Sequence, residues 1–154
     1  MSQENVEIVR AIYEEWGRGN LRAGIERYDP RITFIPVEGR PDGDDVYLGA
    51  EGIGRFLRGW LKEWTDFSMT AEDFTEAGDS VVVTQRQQAV GKASGAPVEM
   101  AFFAVWTFRG RAVIRIEHFR NREETLEAAG LSEQDAHHPP PRDGKNRPAP
   151  SSRT

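Results

Sequence analysis

The 154-residue sequence predicts one α+β domain, in which helices cover one face of a strongly twisted antiparallel sheet and give a cone shape. Two observations support this fold class. Before Trp64, apolar residues mostly recur at three- and four-residue spacing, which is typical of amphipathic helices. After Trp64 they alternate with polar residues, which is typical of strands in an antiparallel sheet.

The first predicted helix occupies the start of the chain, where apolar residues face one side and glutamates the other. Its apolar stripe consists of Val6, Val9, Ile12 or Tyr13, and Trp16. Gly17 and Gly19 predict its end, because glycine commonly follows the last helical turn. Asn20 can cap a short second helix, which Pro30 would stop.

One strand and one further helix are predicted before the middle of the chain. Residues 31–37 alternate between apolar and polar side chains, as a strand does. Residues 39–45 combine glycine, proline and aspartate and predict a loop. A third helix is predicted from about Glu51 to Trp64, with its apolar residues on one broad stripe.

The second half of the patterned region predicts a meander of four strands and a short final helix. Turns are indicated by Gly78-Asp79, by the loop 91–95 and by Gly110. The predicted strands are 67–76, 80–90, 98–109 and 112–120, and the final helix is Arg122–Ala129. Successive hairpins of this kind place each strand antiparallel to the next.

Residues 133–154 predict a disordered tail beyond a domain at 1–132. They hold five of the nine prolines and only two hydrophobic residues, too few to offset the entropy of ordering the segment. The adjacent pair His137-His138 lies in this tail and is interpreted as incidental rather than as a metal site.

Charge and composition exclude several classes of protein. A net charge of −5 lacks the basic field that nucleic acid requires. Without cysteine there is no disulfide, thiolate nucleophile or Cys-ligated zinc. No apolar run approaches the roughly 20 residues that span a bilayer, and the polar start is unlike a signal peptide. We therefore expect a cytoplasmic protein without membrane contact, metal or cofactor.

Four segments carry a recognisable pattern: Trp16–Leu21, Leu48–Phe56, Trp106–Gly110 and Arg122–Leu131. Together they resemble the nuclear transport factor 2-like superfamily, and more closely its SnoaL-like, polyketide cyclase-like branch, over residues 5–131. The resemblance implies a cystatin-like fold, in which a strongly curved antiparallel or mixed sheet wraps around N-terminal helices and encloses a cavity. It implies no single activity, because the fold hosts isomerases, cyclases, hydrolases and non-enzymatic binders.

The last hairpin predicts which side chains face that cavity. With Gly110 at the turn, Trp106 is predicted to pair with Arg115, and Ala104 with Glu117. The resemblance implies that one sheet face lines the cavity and the other packs against a second subunit. We assign the face of Trp106 and Glu117 to the cavity, because apolar walls with a few converging polar groups are typical of ligand sites.

The opposite face of this hairpin is almost wholly apolar. It carries Phe103, Val105, Ile114 and Ile116, and we expect it to form a homodimer interface. His118 falls on the same face, and a single histidine on an apolar face is more often a core or interface residue than a functional one. Alternation also separates His118 from Glu117, so the two would not converge.

Three charged residues are the candidate catalytic groups of the predicted cavity. Glu117 would act as general base, while Arg86 or Arg115 would hold an anionic or enolate oxygen. The candidate ligand-binding residues are Trp106, Gln88, Trp16, Ile12, Trp60 and Phe102. Two other interpretations of the charges stay open: a buried ion pair without function, and a solvated surface pair if the faces are reversed.

The arrangement of Arg86, Gln88 and Glu117 resembles one constellation of the superfamily. In its limonene-epoxide-hydrolase-like branch, an Arg-x-Asp on one strand cooperates with an aspartate on a later strand. Gln88 stands where the acid should be, which argues against epoxide hydrolysis, because an amide cannot donate a proton as a carboxylic acid does. The residues of the ketosteroid isomerases have no equivalents by the same alignment.

Two functions follow from this site. The first is a cofactor-free lyase, isomerase or hydrolase that acts on a small hydrophobic or anionic molecule with Glu117 as general base. The alternative is a non-catalytic, dimeric ligand-binding module with the same cavity. A dimeric interaction protein with a vestigial cavity is a third interpretation.

Overall fold

The computed structural model describes residues 2–37 and 43–131. Its helices are α1 (Ser2–Gly17), α2 (Gly49–Leu61) and α3 (Arg122–Ala128), with a 3-10 turn at Ile25–Arg27. Its strands are β1 (Tyr28–Ile35), β2 (Tyr47–Leu48), β3 (Trp64–Ala77), β4 (Ser80–Gly91), β5 (Pro97–Arg109) and β6 (Ala112–Phe119). The predicted tail at 133–154, its histidine pair and part of the predicted loop at 39–45 lie outside the described residues.

The six strands form one mixed sheet in the order β2-β1-β6-β5-β4-β3. Strands β3 to β6 are the predicted antiparallel meander, and β1 joins β6 in parallel. The sheet curls around α1, which packs against β3 and β4, and around α2, which packs against β1. The α+β fold predicted from the sequence is therefore confirmed, with helices on the concave face of a curved sheet.

The predicted second helix is reduced to the 3-10 turn, and β1 begins at Tyr28 instead of after Pro30. Proline has no N–H to give to a strand ladder, and Pro30 falls in the interval where the β1–β6 register shifts. Asp29 Oδ1 accepts a hydrogen bond of 2.8 Å from the Arg31 N–H within the same irregularity. Pro30 thus interrupts the pairing of the strand without ending it.

The third predicted helix ends earlier than expected, and β3 begins at Trp64. Trp64 already pairs with Gly91 across the hairpin, but the register shifts between Thr65 and Ser68. Asp66 lies in that interval with a φ of 53°, in the left-handed region. The strand therefore starts with a short irregular section, whose sequence lacks the alternation of the rest.

An aromatic core joins α1 to the middle of the sheet. Trp106 of β5 is 0 % exposed and lies beside Tyr13 and Trp16 of α1, with ring centroids 5.7 Å apart in each pair. Its Nε1 donates a hydrogen bond of 3.2 Å to Tyr13 Oη. These ring contacts and the hydrogen bond thus fix the position of α1 against the concave face of the sheet.

A β-bulge in β6 decides which of its side chains face inward. Phe108 pairs with Val113 as predicted, but Thr107 pairs with Arg115, and Trp106 therefore pairs with Ile116. The extra residue is Ile114, and it moves every later residue of β6 to the opposite face from simple alternation. The predicted pairings of Trp106 with Arg115 and of Ala104 with Glu117 are wrong for this reason.

Candidate functional site

A cavity lies inside the curl, between the sheet and the helices α1 and α2. Its aromatic lining comprises Trp16, Tyr28, Phe34, Phe56, Trp60, Phe67 and Phe102. The cavity is partly open, and its volume is about 60 Å³, measured to the centres of water molecules. One water needs roughly 10–15 Å³ on this measure, so the space admits several waters or a small ring-containing molecule.

Three polar side chains interrupt this aromatic lining: Gln85 and Gln87 of β4 and His118 of β6. Aspartate, glutamate, lysine and arginine are absent from the described residues around the cavity. An ion entering it would lose its hydration without meeting an opposite charge, which is costly. The cavity is therefore suited to an uncharged molecule with a few hydrogen-bonding groups.

The tautomer of His118, a titratable residue that lines the cavity, follows from its hydrogen bond. Its Nδ1 lies 3.0 Å from the Ile35 carbonyl oxygen, and a carbonyl oxygen can only accept, so Nδ1 carries the proton. Burial lowers the pKa of His118 from 6.5 to about 4, although the Ile35 bond and the charge of Glu117 oppose that shift. The ring is thus neutral at pH 7, with its lone pair on Nε2.

The structure places the predicted apolar ligand-binding residues in two groups. Trp16, Trp60 and Phe102 line the cavity. Ile12 and Trp106 are buried in the adjoining hydrophobic core, and neither is among the lining residues. The aromatic half of the predicted site thus lies in or next to the cavity.

Arg86 and Gln88 lie on the outer face of the sheet, so their predicted cavity placement is corrected. Val81 pairs with Trp106, which puts the odd-numbered residues of β4 inside and the even-numbered ones outside. Arg86 instead binds two glutamates, with Nε 2.6 Å from Glu72 Oε2 and Nη1 3.0 Å from Glu99 Oε2. The hydrogen bond from Arg86 lowers the pKa of Glu72.

Arg115 and Glu117 are also outside the cavity, because the bulge in β6 turns them outward. They form an ion pair of 2.9 Å between Arg115 Nη2 and Glu117 Oε1, with side chains 47 % and 24 % exposed. Glu117 borders an open groove beside α3 instead. This geometry matches the surface-pair interpretation, and a solvated pair of this kind contributes little to stability.

Gln85, Gln87 and His118 line the cavity but were not predicted to do so from the sequence. The charge of Arg86 was a usable signal: alternation places Gln85 and Gln87 on the opposite face of β4 from a group that prefers solvent. For His118 the signal was less direct, because its inward position depends on the bulge at Ile114, which keeps the charges of Arg115 and Glu117 out of the cavity.

The described part of the chain holds neither a metal-binding cluster nor a membrane-spanning helix. Within residues 2–37 and 43–131, no group of three histidines or carboxylates could hold a metal ion. None of the described helices combines the length and the apolar character needed to cross a bilayer.

Known structures share this architecture. An NTF2-like protein from Burkholderia thailandensis is 24 % identical, with a TM-score of 0.69 over 82 % of this chain and 95 % of that one. An NTF2-like protein of unknown function from Burkholderia pseudomallei is 21 % identical, with a TM-score of 0.65 over 84 % and 97 %. A Catenulispora acidiphila protein with a ketosteroid isomerase-like fold, in complex with trimethylamine, is 19 % identical, with a TM-score of 0.62 over 81 % and 93 %.

Sequence identities of this level establish a shared fold, but they do not assign the activity of any of these proteins to this chain. No curated protein matches the chain in sequence. The model of the SnoaL-like domain family matches residues 9–116, which include most of α1, the helix α2 and nearly all of the sheet. The chain therefore belongs to the SnoaL-like family, within the NTF2-like fold that its curved sheet and enclosed cavity display.

Proposed function

We propose that this chain binds a small, uncharged, largely apolar molecule containing at least one ring, and that His118 Nε2 accepts a hydrogen bond from a hydroxyl of that molecule. The observation that carries the proposal is the 3.0 Å hydrogen bond from His118 Nδ1 to the Ile35 carbonyl. It holds the neutral tautomer whose lone pair is on Nε2. The aromatic walls supply the apolar contact that a ring requires.

The pKa of His118 favours binding over general base catalysis. A general base is most effective when its pKa lies near the working pH, and the pKa of His118 is lowered to about 4. Such a ring stays uncharged at neutral pH and accepts hydrogen bonds, but it is a weak proton acceptor. We therefore favour the non-catalytic ligand-binding module over the lyase, isomerase or hydrolase.

A neighbouring structure also supports a small-molecule cavity. The Catenulispora acidiphila protein was solved as a complex with trimethylamine. We extend small-molecule binding to this chain because its own cavity combines aromatic walls with three polar side chains.

We expect wild-type protein to bind 4-phenylphenol more tightly than biphenyl, which has the same rings but no hydroxyl. Replacement of His118 with leucine should weaken binding of 4-phenylphenol about fivefold, the usual worth of one hydrogen bond, and leave biphenyl binding unchanged. Trp16 and Trp60 line the cavity, so quenching of tryptophan fluorescence reports both affinities.

The control for this experiment is Glu117→Gln, which removes a charge from the outer face at constant size. It should leave both affinities unchanged. Loss of binding in Glu117→Gln together with full binding in His118→Leu would contradict the assignment of the cavity.

We further propose that the outer face of the sheet forms the homodimer interface. The predicted face is corrected at Ile116, which the bulge turns inward and buries in the core. Phe103 and Phe119 support the proposal, because they are cross-strand partners on the outer face and are each half-buried. Val105, the cross-strand partner of Glu117, belongs to the same outer face. Ile114, also predicted for this interface, is the unpaired residue of the bulge and is half-buried.

Light scattering is expected to give a mass of about 35 kDa, twice the chain mass of 17.4 kDa. Phe103→Glu should give the monomer, because an unpaired charge at an apolar interface is costly. The binding of 4-phenylphenol should persist in this variant, since Phe103 faces away from the cavity. A wild-type protein that elutes and scatters as a monomer would contradict the proposed interface.

A further inference from the structure

Two glutamine side chains of β4 carry polar atoms that no described residue satisfies. Gln85 is 1 % exposed and Gln87 is 7 % exposed, and both line the cavity. The Oε1 atom of each is buried without a hydrogen-bond partner among the described residues. Gln87 Nε2 lies 3.7 Å from Met69 Sδ, a weak acceptor, and this contact orients the amide with its oxygen free.

Buried oxygen atoms without a hydrogen-bond partner lower the stability of a folded protein. A buried acceptor without a partner destabilises the folded state, whereas an apolar side chain at the same position carries no such penalty. The two glutamines also stand side by side on one strand face, about 6.7 Å apart along the strand. Two adjacent unsatisfied acceptors in one cavity indicate a ligand that supplies two donors.

The position of His118 indicates how long that ligand is. Ala104 pairs with His118 and with Val83, so β5 separates the histidine strand from the glutamine strand. Two strand spacings amount to about 10 Å. Phe102, the partner of Gln85, lies on this intervening strand and lines the cavity with an aromatic ring.

We propose that Gln85 and Gln87 are the specificity-determining residues of the cavity, and that its ligand is an uncharged, ring-containing molecule with two hydroxyl groups at the end opposite the group held by His118. The two hydroxyls donate hydrogen bonds to the two amide oxygens. Because no described residue of the cavity wall is charged, hydroxyl groups suit that end better than a carboxylate or phosphate, which would be desolvated there without an opposite charge. This inference rests on the proposed function and specifies its ligand class.

The test compares 4-phenylphenol with its 3′,5′-dihydroxy derivative, which adds two hydroxyls to the far ring. Wild-type protein should bind the derivative at least about tenfold more tightly, as two hydrogen bonds of ordinary strength predict. In the double variant Gln85→Met, Gln87→Met the two affinities should become equal. Methionine keeps the size of the side chain and removes the amide, so the cavity shape is retained.

A second measurement needs no ligand. The double variant should have a higher Tm than wild type, because it removes two buried atoms without partners. A lower Tm would overturn the inference, since it would mean that the amides support the fold. Gln88→Met, on the exposed face of the same strand, is the matched control and should change neither the affinity ratio nor the Tm.

The failures of the two proposals are distinguishable. If neither compound binds wild-type protein, the proposed function is overturned, and the inference with it. If both bind wild type equally, or if the double variant still prefers the dihydroxy derivative, the inference alone is overturned.

Discussion

Replacement of Trp106 with alanine is expected to lower the free energy of unfolding by about 3 to 5 kcal/mol, the usual cost of deleting a large buried aromatic side chain. Trp106 is fully buried, and its ring contacts Tyr13 and Trp16 of α1. Its loss would leave a cavity between the helix and the sheet. It would also remove the 3.2 Å hydrogen bond that Tyr13 Oη receives. Urea denaturation followed by circular dichroism measures the change.

Trp60→Ala is the matched control, since it makes the same substitution at a half-buried position. Trp60 stacks on Phe56 with ring centroids 6.1 Å apart and borders the cavity instead of the solid core. We expect it to cost less than half as much as Trp106→Ala. Equal costs would contradict the central position of Trp106 in the fold.

Acidification is expected to destabilise the protein through His118 by up to about 3 kcal/mol. Burial lowers the pKa of the folded state from 6.5 to about 4, so the unfolded chain binds a proton in this interval and the folded chain does not. The stabilisation is fully present above pH 6.5 and is lost as the pH falls toward 4. Urea denaturation at several pH values in this range measures it.

His118→Gln isolates this contribution from that of the carboxyl groups, because its amide does not titrate and can still donate to the Ile35 carbonyl. The stability difference between wild type and His118→Gln should shrink or change sign as the pH falls from 6.5 to 4. A difference that stays constant with pH would show that the pKa of His118 is ordinary.

Most of the fold could be predicted from periodicity, because helices and hairpins depend on local pattern. Two strand pairings in the sheet could not be predicted in this way. The strand β2 has two residues, Tyr47 and Leu48, too few for any period. The parallel pairing of β1 with β6 joins segments about 80 residues apart, and alternation does not indicate which distant strand is the partner.

Which polar side chains of β6 face the cavity depends on the position of one extra residue, the bulge at Ile114. Val113 and Ile114 are both apolar and β-branched, so the sequence does not indicate which of them is the extra residue of the bulge. Choosing regular alternation put Arg115 and Glu117 inside and His118 outside. The cost of burying the charges of Arg115 and Glu117 favours the bulged register over a regular hairpin.

The aromatic half of the site was easier to predict. Trp16 and Trp60 lie on the apolar faces of helices whose period is unambiguous. Phe102 lies on β5, where side chains alternate regularly because the bulge is in the next strand, β6. Periodicity therefore predicts the cavity residues correctly wherever the helices and strands are regular. The single bulge in β6 explains why a neutral histidine lines the cavity where Arg115 and Glu117 were predicted.

The central claim is that a neutral His118 faces the cavity and offers Nε2 to a ligand. Nitrogen-15 NMR of the histidine side chains tests this most directly, with His118 assigned by the absence of its signals from His118→Gln. We predict protonated Nδ1 and unprotonated Nε2 at neutral pH, and a shift of the Nε2 resonance when 4-phenylphenol is added. A His118 ring that titrates near 6.5 and does not respond to 4-phenylphenol would contradict the account.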